Sequence, residues 1–387
     1  MHVCMLTTTH DIKDDRIYHK EALSLKRQGI DVTILGTGPE VVSEADGINL
    51  ISLPRGEGLW SRLKVLGRLA ARAEMIDCDA YQFHEPELLW VGRRLQARTG
   101  RRVIFDAHEH YPDMMLNTTR LPGWLKLLAA WGMDRWERWF VPGMDQIITA
   151  DDNIEKRYSK LNRNVTTIFN YPVTDLFYKA KPDPEFMARY AGRDIVIYEG
   201  GIARVRGPLE LLAAVNQVRK THPNIMLVFV GPFSDQQCKV DMEHYITEND
   251  LAQWVDMVGP VPHEKVPGYV AAAKAGLVTL LPVPKFYKNI PIKQFEYMAC
   301  GIPVVGSDLP PIRSYVEKAR CGLIVDPTRP EQIANAIRYL LDHPAEAEEM
   351  GMRGQEAVAK DWNWEQMGRK LADLYHGLSR NRAKAGV

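Results

Sequence analysis

Short apolar runs recur along both halves of the chain and alternate with polar loops and with stretches of helical periodicity. In the first half the runs that predict strands are residues 2–6, 31–35, 49–54, 80–83, 103–105, 146–149 and 165–169. In the second half they are residues 194–198, 225–230, 255–258, 275–281, 302–305 and 322–326. Because helical patterns lie between most of these runs, we expect an α/β fold with two parallel, doubly wound sheets.

The stretch from Asn289 to Asp308 combines a loop, a short helix, a glycine stop and a buried strand. Pro291 suits the first helical turn, and Gly301 stands where a left-handed C-cap would end the helix. Glu296 lies inside this mostly apolar helix, where a carboxylate needs a partner. The local sequence leaves open whether that partner is a hydroxylated ligand or a capping or salt-bridged residue.

Three histidines of the first half follow predicted strands, namely His10, His84 and His108. Ligands of open α/β sheets bind outside the carboxyl ends of the strands. One loop histidine is usually a solvated or capping residue, but three at strand ends predict a cleft in which at least one has a function. The first turn lacks a GxGxxG fingerprint, so we do not expect a dinucleotide in this half.

The turn after the first strand of the second half is rich in glycine and arginine. Gly200 and Gly201 allow a ligand to approach the backbone closely, and a helix that starts near Pro208 aims its N–H groups at the same place. Arg204 and Arg206 stand beside that helix terminus. Together they predict a cradle for a diphosphate.

Composition limits the class of protein. The 387 residues exceed what one hydrophobic core usually organises, so two domains with a hinge near residues 170–180 are expected. The formal net charge of zero argues against a dedicated nucleic-acid binder. The five cysteines show no metal-ligand spacing, which favours reduced thiols in a cytosolic enzyme.

Two stretches, residues 58–73 and 121–141, have the composition of interfacial helices. Leucines alternate with basic residues in the first, and the second carries Trp124, Trp131, Trp136 and Trp139 beside lysine and arginine. Such helices suit an anionic membrane surface or a lipid-linked acceptor, although ordinary core helices explain the same spacing. No secretory signal or bilayer-spanning apolar stretch is visible, so we expect a cytoplasmic protein, peripheral on the inner face of the membrane if these helices bind lipid.

With these segments placed, the sequence resembles retaining glycosyltransferases of the GT-B fold, specifically glycosyltransferase family 4 (group 1). The family's Pro-x-Lys-x-Phe-Glu-Tyr-Met-Ala-x-Gly-x-Pro-Val-Val run is matched from Pro291 to Val305. Further matches are to the phosphate turn (Tyr198, Gly200, Arg206, Gly207), to the central histidine loop (Asp106 to Glu109), and to the first loop of a bacterial branch that builds surface polysaccharides (His10, Asp14, Arg16, Lys20, Glu21).

The resemblance implies two Rossmann-like domains that face a central cleft, with a C-terminal helix that crosses back to the first domain. The first domain, residues 1–172 with the helix 365–378, would bind the acceptor. The second, residues 173–364, would bind a nucleotide-sugar.

The resemblance also implies roles for individual residues. Glu296 would bind the ribose diol, and Arg206, helped by Arg204 or Lys293, would neutralise the diphosphate, although a helix lysine is more often solvated. His108 would lie near the reacting sugar carbon, which makes His108 and Arg206 the predicted catalytic residues. The remaining donor contacts would be Gly200, Gly201, Asn289 and Ile290, and the remaining acceptor or cleft contacts would be His10, Arg16, His84 and Glu109.

Two positions depart from the family pattern. Lys288 stands eight positions before Glu296, where the family often has a glutamate, and Gly200-Gly201 replaces a Gly-Arg pair. No DxD-like cluster is present in a plausible site, so we expect neither a metal nor another cofactor.

The function implied by the resemblance is transfer of a sugar, with retention of anomeric configuration, from a UDP- or GDP-linked donor to a hydroxyl. The acceptor would be a glycan or a lipid-linked sugar in surface-polysaccharide or glycoconjugate synthesis, and no nucleic-acid partner is expected. The alternatives are a nucleotide-sugar epimerase or a phosphorylase-like glucan enzyme on the same architecture, or an inactive protein that binds a nucleotide-sugar.

Overall fold

The chain divides into two units in a computed structural model that describes residues 1–55, 59–117, 122–178 and 180–385. The first unit comprises Met1–Asn170 and Trp364–Val387, and the second comprises Tyr171–Asn363. The predicted boundaries at residues 172 and 364 lie within two residues of this division.

The first unit is built on an eight-stranded sheet with the order β3-β4-β2-β1-β5-β6-β7-β8. Its strands are β1 (His2–Leu6), β2 (Asp31–Gly38), β3 (Val41–Ala45), β4 (Ile48–Pro54), β5 (Ala80–Phe83), β6 (Arg102–Ala107), β7 (Gln146–Thr149) and β8 (Val165–Thr167). Its helices are α1 (Leu23–Arg27), α2 (Leu59–Glu74), α3 (Leu89–Thr99), α4 (Tyr111–Asn117), α5 (Gly123–Phe140) and α6 (Asp152–Tyr158). All strand pairs except β3 with β4 are parallel, and the central strands are almost entirely buried, as is typical of strands covered on both faces.

The edge strand β3 was not predicted. It pairs antiparallel with β4, and Val42 opposite Ile51 is 77% exposed, so the strand contributes little to the core. Asp46 and Gly47 join the two strands with φ angles of 52° and 73°. An Asp-Gly pair with both φ angles positive is a strong local signal for a two-residue hairpin turn.

The segment before α1 winds as a π-helix over Asp15–Ala22. The backbone N–H of His19 donates to the carbonyl of Asp14 at 3.3 Å, and the side chain of Asp14 caps the helix by accepting from the N–H groups of Arg16 and Ile17. π-Helical turns are rare and often lie at functional sites.

The two candidate interfacial stretches behave differently. In α2, the apolar face is buried in the core of the first unit through Leu66, Leu69, Ala70 and Ala73. This helix is therefore a core helix and not a membrane-binding one. Residue 58, residue 121 and the side chains of Leu59 and Leu63 lie outside the described residues.

Helix α5 exposes the apolar residues of its outer face. Trp124, Leu127, Leu128, Trp131 and Trp139 are between 57% and 80% exposed, whereas the polar Glu137 is buried. The first four follow the i, i+3, i+4, i+7 spacing and therefore form one stripe along the helix. None of the described helices is both long enough and apolar enough to cross a bilayer.

The second unit contains a six-stranded parallel sheet with the order β11-β10-β9-β12-β13-β14. Its strands are β9 (Asp194–Glu199), β10 (Ile225–Val230), β11 (Val255–Gly259), β12 (Ala275–Val278), β13 (Val304–Ser307) and β14 (Gly322–Val325). Its helices are α7 (Thr174–Phe177), α8 (Pro184–Arg189), α9 (Pro208–Val218), α10 (Gln236–Glu248), α11 (Val266–Ala271), α12 (Lys293–Ala299), α13 (Pro310–Ala319), α14 (Pro330–Asp342) and α15 (Pro344–Lys360). The glycine stop after α12 is confirmed, since Gly301 has a φ of 75°.

The final helix, α16 (Trp364–Ala385), belongs to the first unit, which confirms that the chain returns there. The indole of Trp364 donates to the carbonyl of Lys20 at 3.1 Å and to the hydroxyl of Ser24 at 2.8 Å. The buried Tyr375 hydroxyl donates to the side-chain carbonyl of Gln82. The amide of Gln82 in turn donates to the Glu21 carboxyl at 2.6 Å, so α16 is linked to the buried polar groups of the π-helix.

We expect Tyr375→Phe to destabilise the first unit, because it leaves the buried oxygen of Gln82 without its donor. The loss should be about 1–3 kcal/mol. Thermal unfolding should show a clear decrease in Tm, whereas Tyr339→Phe, which removes a hydroxyl from an exposed Tyr339–Glu346 contact, should change Tm little. Equal Tm values for the Tyr375→Phe variant and the unmodified chain would contradict this interpretation of the contact.

Candidate functional site

The three histidines at strand ends lie together. They follow β1, β5 and β6, which are neighbours in the sheet, and the ring centroids of His10 and His108 are 5.5 Å apart. The rings of His84 and His108 are 5.1 Å apart. The sequence argument therefore located the carboxyl edge of the sheet in the first unit as a place where side chains converge.

Asp106, at the end of β6, is the centre of this group. Its carboxylate accepts from Arg16 Nη2 at 3.1 Å, and lies 3.0 Å from His108 Nε2 and 3.3 Å from His84 Nδ1. Burial alone would raise the pKa of the Asp106 carboxyl, but the charge of Arg16 and the hydrogen bonds from His108 and His84 hold this pKa well below its ordinary value. Asp106 is therefore a buried anion that is held by a guanidinium and two imidazoles.

Glu21, on the π-helix, is the second buried carboxyl of the group. Arg16 Nε lies 2.9 Å from its Oε1 atom. Burial and the neighbouring charge of Asp106 raise the pKa of Glu21 well above its ordinary value. The raised pKa favours the protonated form of Glu21, and the guanidinium of Arg16 contacts both this carboxyl and Asp106.

His108 borders the open side of the group. Burial lowers the pKa of its imidazole, against the opposing effect of Asp106, so the ring is neutral at neutral pH. The contact with the ionised Asp106 favours the tautomer that carries its proton on Nε2. That tautomer leaves Nδ1 as a hydrogen-bond acceptor.

His84, Asp106 and His108 also have the spacing of a metal site. Among the residues that the structure describes, they are the one group of histidine, cysteine and acidic ligand atoms close enough for a metal, all within 4.8 Å of one another. The same atoms contact one another and, through Asp106, the guanidinium of Arg16, which already supplies a positive charge. Metal independence stays a prediction.

A cavity of about 530 Å³ opens beside His108 in the first unit. Its wall includes three of the predicted acceptor or cleft residues, His10, Arg16 and Glu109, whereas the fourth, His84, is fully buried behind it. The other wall residues are Thr9, Asp14, Asp15, Glu85, Pro86, Glu87, Tyr111, Met114, Met115, Met133, Ala150 and Asn170.

Glu85 was not singled out from the sequence, although it follows His84 directly. Its Oε1 atom accepts from the Thr7 hydroxyl at 2.6 Å and from the N–H and hydroxyl of Thr9 at 3.0 and 2.9 Å. Burial alone would raise the pKa of Glu85, but the Thr7 hydrogen bond and the field of His84 lower it, so Glu85 is ionised. The signal that could have identified Glu85 is a carboxylate directly after a histidine at the end of a buried strand.

In the second unit, the glycine-rich turn after β9 is closely packed. Gly200 and Gly207 have φ angles of 95° and 75°, and a Cβ on Gly207 would lie 2.2 Å from the carbonyl oxygen of Thr279. A Cβ on Gly231 would lie 2.3 Å from the carbonyl oxygen of Gly200. The carbonyl of Thr279 therefore excludes a side chain at Gly207, and the carbonyl of Gly200 excludes one at Gly231.

The two arginines of this turn have different surroundings. Both terminal nitrogens of Arg204 donate to the carboxylate of Glu210 at 2.8 Å, so its charge is matched within the unit. The Arg206 guanidinium carbon lies 4.0 Å from the position that a Cβ on Gly201 would take. Arg206 therefore lies over the open glycine backbone, next to the start of α9.

Lys293 and Glu296 lie on α12, beside the same turn. The solvated lysine that is usual on a helix is not found here: Lys293 is buried, donates through Nζ to the carbonyl of Glu199 and lies 3.6 Å from the centroid of the Tyr198 ring. Glu296 is half-buried on the same helix. Asn289 and Ile290 are half-buried in the segment before α12.

Two family descriptions match most of the chain. "Glycosyl transferases group 1" matches residues 181–357, and "Glycosyl transferase 4-like domain" matches residues 18–168. The chain belongs to the glycosyltransferase group 1 family. The two matched segments fall in the second and first units respectively, so the family assignment applies to both sheets.

Curated relatives share about a quarter of their aligned residues with the chain. It is 26% identical over 196 residues to the alpha-D-kanosaminyltransferase of Streptomyces kanamyceticus, covering 50% of this chain and 49% of the relative. It is 27% identical over 265 residues to the alpha-maltose-1-phosphate synthase of Mycolicibacterium smegmatis, and the alignment covers 63% of this chain and 66% of the relative. The matches thus span about half to two thirds of the length of these relatives.

Solved structures show the fold. The sucrose-phosphate synthase from Thermosynechococcus elongatus has a TM-score of 0.79 and 20% identity, covering 98% of this chain and 99% of that one. Anabaena HepE, solved with UDP-glucose, has a TM-score of 0.71 and 15% identity, and the superposition covers 97% of this chain and 99% of HepE. The predicted GT-B fold of this group 1 family member is confirmed.

The pair formed by His10 and Asp14 on the cavity wall leads to a pH prediction. The hydrogen bond to Asp14, with His10 Nδ1 3.3 Å from Asp14 Oδ2, raises the pKa of His10 above its ordinary value of 6.5. The stabilisation by this pair should be complete below about pH 6.5 and lost as the pH rises through the folded-state pKa. An NMR titration should show a lower pKa for His10 in Asp14→Asn.

The control is Asp11→Asn, which removes a carboxylate of the same loop whose side chain accepts from the backbone N–H of Lys13. It should leave the titration of His10 nearly unchanged. Similar shifts in both variants would show that general charge, rather than the Asp14 hydrogen bond, sets the pKa.

Proposed function

We propose that the chain is a retaining glycosyltransferase that moves a sugar from a UDP- or GDP-linked donor to a hydroxyl of a glycan or lipid-linked acceptor in surface-polysaccharide or glycoconjugate synthesis. The observation that carries the proposal lies in the second unit, where Lys293 of α12 donates a hydrogen bond to the carbonyl of Glu199. This contact joins the helix of the family motif to the end of β9, directly before the glycine–arginine turn. A relative that is 26% identical over 214 residues, a GDP-mannose-dependent mannosyltransferase of Mycolicibacterium smegmatis, supports such a donor.

In this proposal the second unit binds the donor. Glu296 accepts hydrogen bonds from the ribose diol, and the open backbone at Gly200 and Gly201 receives the diphosphate under Arg206. Arg206 stabilises the negative charge that develops on the diphosphate as it leaves. Because Glu210 already neutralises Arg204, Arg204 has the smaller role of the two arginines.

The first unit provides the acceptor cavity, with His108 on its wall. The acceptor oxygen forms a bond to the anomeric carbon on the face from which the diphosphate departs. The bond from that carbon to the diphosphate oxygen breaks, and the acceptor proton passes to the departing diphosphate. His108 is neutral, so it positions a hydroxyl through Nδ1 without a competing positive charge.

The stereochemistry of the product tests this function. Incubation with an α-linked UDP- or GDP-sugar that serves as the donor should give a product whose new linkage, read by the anomeric proton coupling in NMR, is also α. A β product would contradict retention. Release of a C2- or C4-epimerised nucleotide-sugar would support the epimerase alternative, and donor binding without turnover would support the inactive binding protein.

Two substitutions should separate the parts of the donor site. Glu296→Ala should weaken binding of a nucleoside and its diphosphate to a similar degree, by about tenfold, because each loses a charge-assisted hydrogen bond to the ribose. Arg206→Ala should weaken binding of the nucleoside diphosphate more than binding of the nucleoside. Titration calorimetry with UDP, GDP, uridine and guanosine measures both effects.

Unchanged nucleotide affinity in Glu296→Ala would refute the assignment of Glu296 to the ribose. Equal losses of affinity for the nucleoside and for its diphosphate in Arg206→Ala would show that Arg206 does not bind the phosphates. Lys239→Ala is a matched control, since it removes a half-exposed cation of α10 that faces Glu243.

We further propose that the outer face of α5 binds an anionic membrane surface. Three tryptophans and two leucines are exposed on this face, and Arg135 and Arg138 are exposed with them. The nearby Asp134 is already paired with Arg138 and Arg157. Exposed tryptophans between basic residues suit the interface of a bilayer that contains acidic lipids better than they suit water.

Liposome flotation tests this surface. The chain should float with vesicles that contain phosphatidylglycerol and much less with phosphatidylcholine alone. Leu128→Glu should abolish flotation, while Val240→Glu, which introduces the same charge at an exposed apolar position of α10, should not. Equal behaviour with both lipids, or of both variants, would show that this face does not bind the membrane.

A further inference from the structure

Glu199 is an almost fully buried carboxylate at the carboxyl end of β9, directly before the glycine–arginine turn. It is 8% exposed. Strand β9 pairs with β10 as far as Glu199 opposite Val230, whereas its pairing with β12 ends at Ile197 opposite Gly276. The backbone of Glu199 therefore has no strand to pair with on the side of β12.

Two side chains of α12 take the place of the missing strand. The backbone N–H of Glu199 donates to the Tyr297 hydroxyl at 3.0 Å, and its carbonyl accepts from Lys293 Nζ. Lys293 and Tyr297 are about one helical turn apart, so one face of α12 holds the peptide groups on both sides of Glu199. The root of the Glu199 side chain is thereby fixed relative to Glu296, which lies between these two residues on the helix.

The side chain of Glu199 lies on the face of the sheet that α12 covers. Successive side chains of a strand point to opposite faces, and Tyr198 packs into the core cluster on the side of α9 and α14. In β12, Leu277 belongs to the same core cluster, whereas a Cβ on its neighbour Gly276 would lie 2.2 Å from the Tyr297 ring. Tyr297, and with it α12, therefore covers the face to which Glu199 points.

The carboxylate of Glu199 has no partner in the part of the chain that the structure describes. Among those residues its hydrogen bonds are made by the backbone, and none of their cations lies within ion-pair distance of the carboxylate. Its oxygens are not among the described atoms that are both fully enclosed and without a hydrogen bond, so they stay in contact with solvent. A carboxylate that has lost most of its hydration without gaining a donor lowers the stability of the folded chain. Such a group indicates a ligand that supplies the donor.

Glu296 and Glu199 act on the same part of α12. Burial raises the pKa of the Cys300 thiol, and the charges of Glu296 and Glu199 raise it further. On its other side Glu199 is followed directly by Gly200, where the open backbone under Arg206 begins. Glu199 thus adjoins both the helix proposed to bind the ribose and the turn proposed to receive the diphosphate.

We infer that the Glu199 carboxylate binds a hydroxyl group of the donor that adjoins the diphosphate, either on the ribose or on the transferred sugar. The inference rests on the proposed function, because it adds a specificity-determining residue to the donor site. A charged acceptor that is almost shielded from water forms a strong hydrogen bond with a hydroxyl group and discriminates against a donor that lacks it. The diphosphate itself carries the same sign of charge as Glu199, so the contact is made by a neutral part of the donor.

The Tm of the ligand-free chain distinguishes this role from a structural one. Glu199→Gln keeps the shape of the side chain and removes its charge. The variant should be at least as stable as the unmodified chain, because a charge without a partner is lost. If Glu199 instead served to balance the buried Lys293, the variant would be less stable. A Tm lowered by several degrees would therefore overturn the inference.

Binding of the donor and its fragments to the full chain, measured by titration calorimetry, is the second test. The probes are UDP, UDP-glucose, GDP, GDP-mannose and inorganic pyrophosphate. Glu199→Gln should weaken binding of the nucleotide-sugar that the unmodified chain binds by about tenfold, which corresponds to the loss of one charge-assisted hydrogen bond. Pyrophosphate has no such hydroxyl, so its affinity for the variant should be no weaker than its affinity for the unmodified chain.

The nucleoside diphosphates identify which hydroxyl is bound. An equal loss of affinity for the nucleoside diphosphate and for its sugar assigns Glu199 to the ribose, whereas a loss confined to the nucleotide-sugar assigns it to the transferred sugar. Equal affinities of the variant and the unmodified chain for the nucleotide-sugar would overturn the inference and leave the proposed function intact. An unmodified chain that binds none of the nucleotides would refute the proposed function, and this inference with it.

Glu348→Gln is the matched control, since it removes the same charge from an exposed position of α15. It should change neither the Tm nor any of the affinities. Equal losses in both variants would show a general effect of net charge and contradict the assignment. A loss of pyrophosphate affinity in Glu199→Gln as large as the loss for the nucleotide-sugar would show damage to the phosphate turn, which would also overturn the inference.

Discussion

The ion pair between Asp106 and Arg16 organises the first unit. Both side chains are almost without solvent contact, and a buried carboxylate stays ionised only where a cation and hydrogen-bond donors compensate for its lost hydration. Removal of one partner from such a pair typically destabilises a protein by about 3–5 kcal/mol. Asp106 also contacts the imidazoles of His84 and His108, and its contact with His108 favours the tautomer that leaves Nδ1 of this cavity residue as a hydrogen-bond acceptor.

The two units carry different kinds of charge at their candidate sites. Several carboxylates line the cavity of the first unit, where the described cations His10 and Arg16 contact Asp14 and Asp106. The turn of the second unit exposes glycine backbone under Arg206 and is fastened by the buried Lys293. This division is what a transferase needs if one unit holds a polyhydroxylated acceptor and the other an anionic nucleotide diphosphate.

Much of the fold could be predicted from the sequence because buried parallel strands are continuous apolar runs. The clustering of His10, His84 and His108 could be predicted as well, since the carboxyl ends of neighbouring strands meet at one edge. The hairpin strand β3 could not be predicted from apolar patterning, because its residues face solvent. The π-helix could not be predicted either, since its buried Arg16 is stabilised by Asp106, which lies 90 residues away along the chain. The exposed stripe of α5 shows the limit of periodicity, which identifies an apolar face but not what covers it.

The most direct test of the central claim is a thermal-shift measurement of the full chain against UDP, GDP and ADP and their sugars. The account predicts that one nucleoside diphosphate, with its sugar, raises the Tm by several degrees at millimolar concentration, because a ligand that binds only the folded state stabilises it. It also predicts that inorganic phosphate at the same concentration leaves the Tm unchanged. A Tm that none of these nucleotides changes would contradict the assignment of the second unit as the donor site.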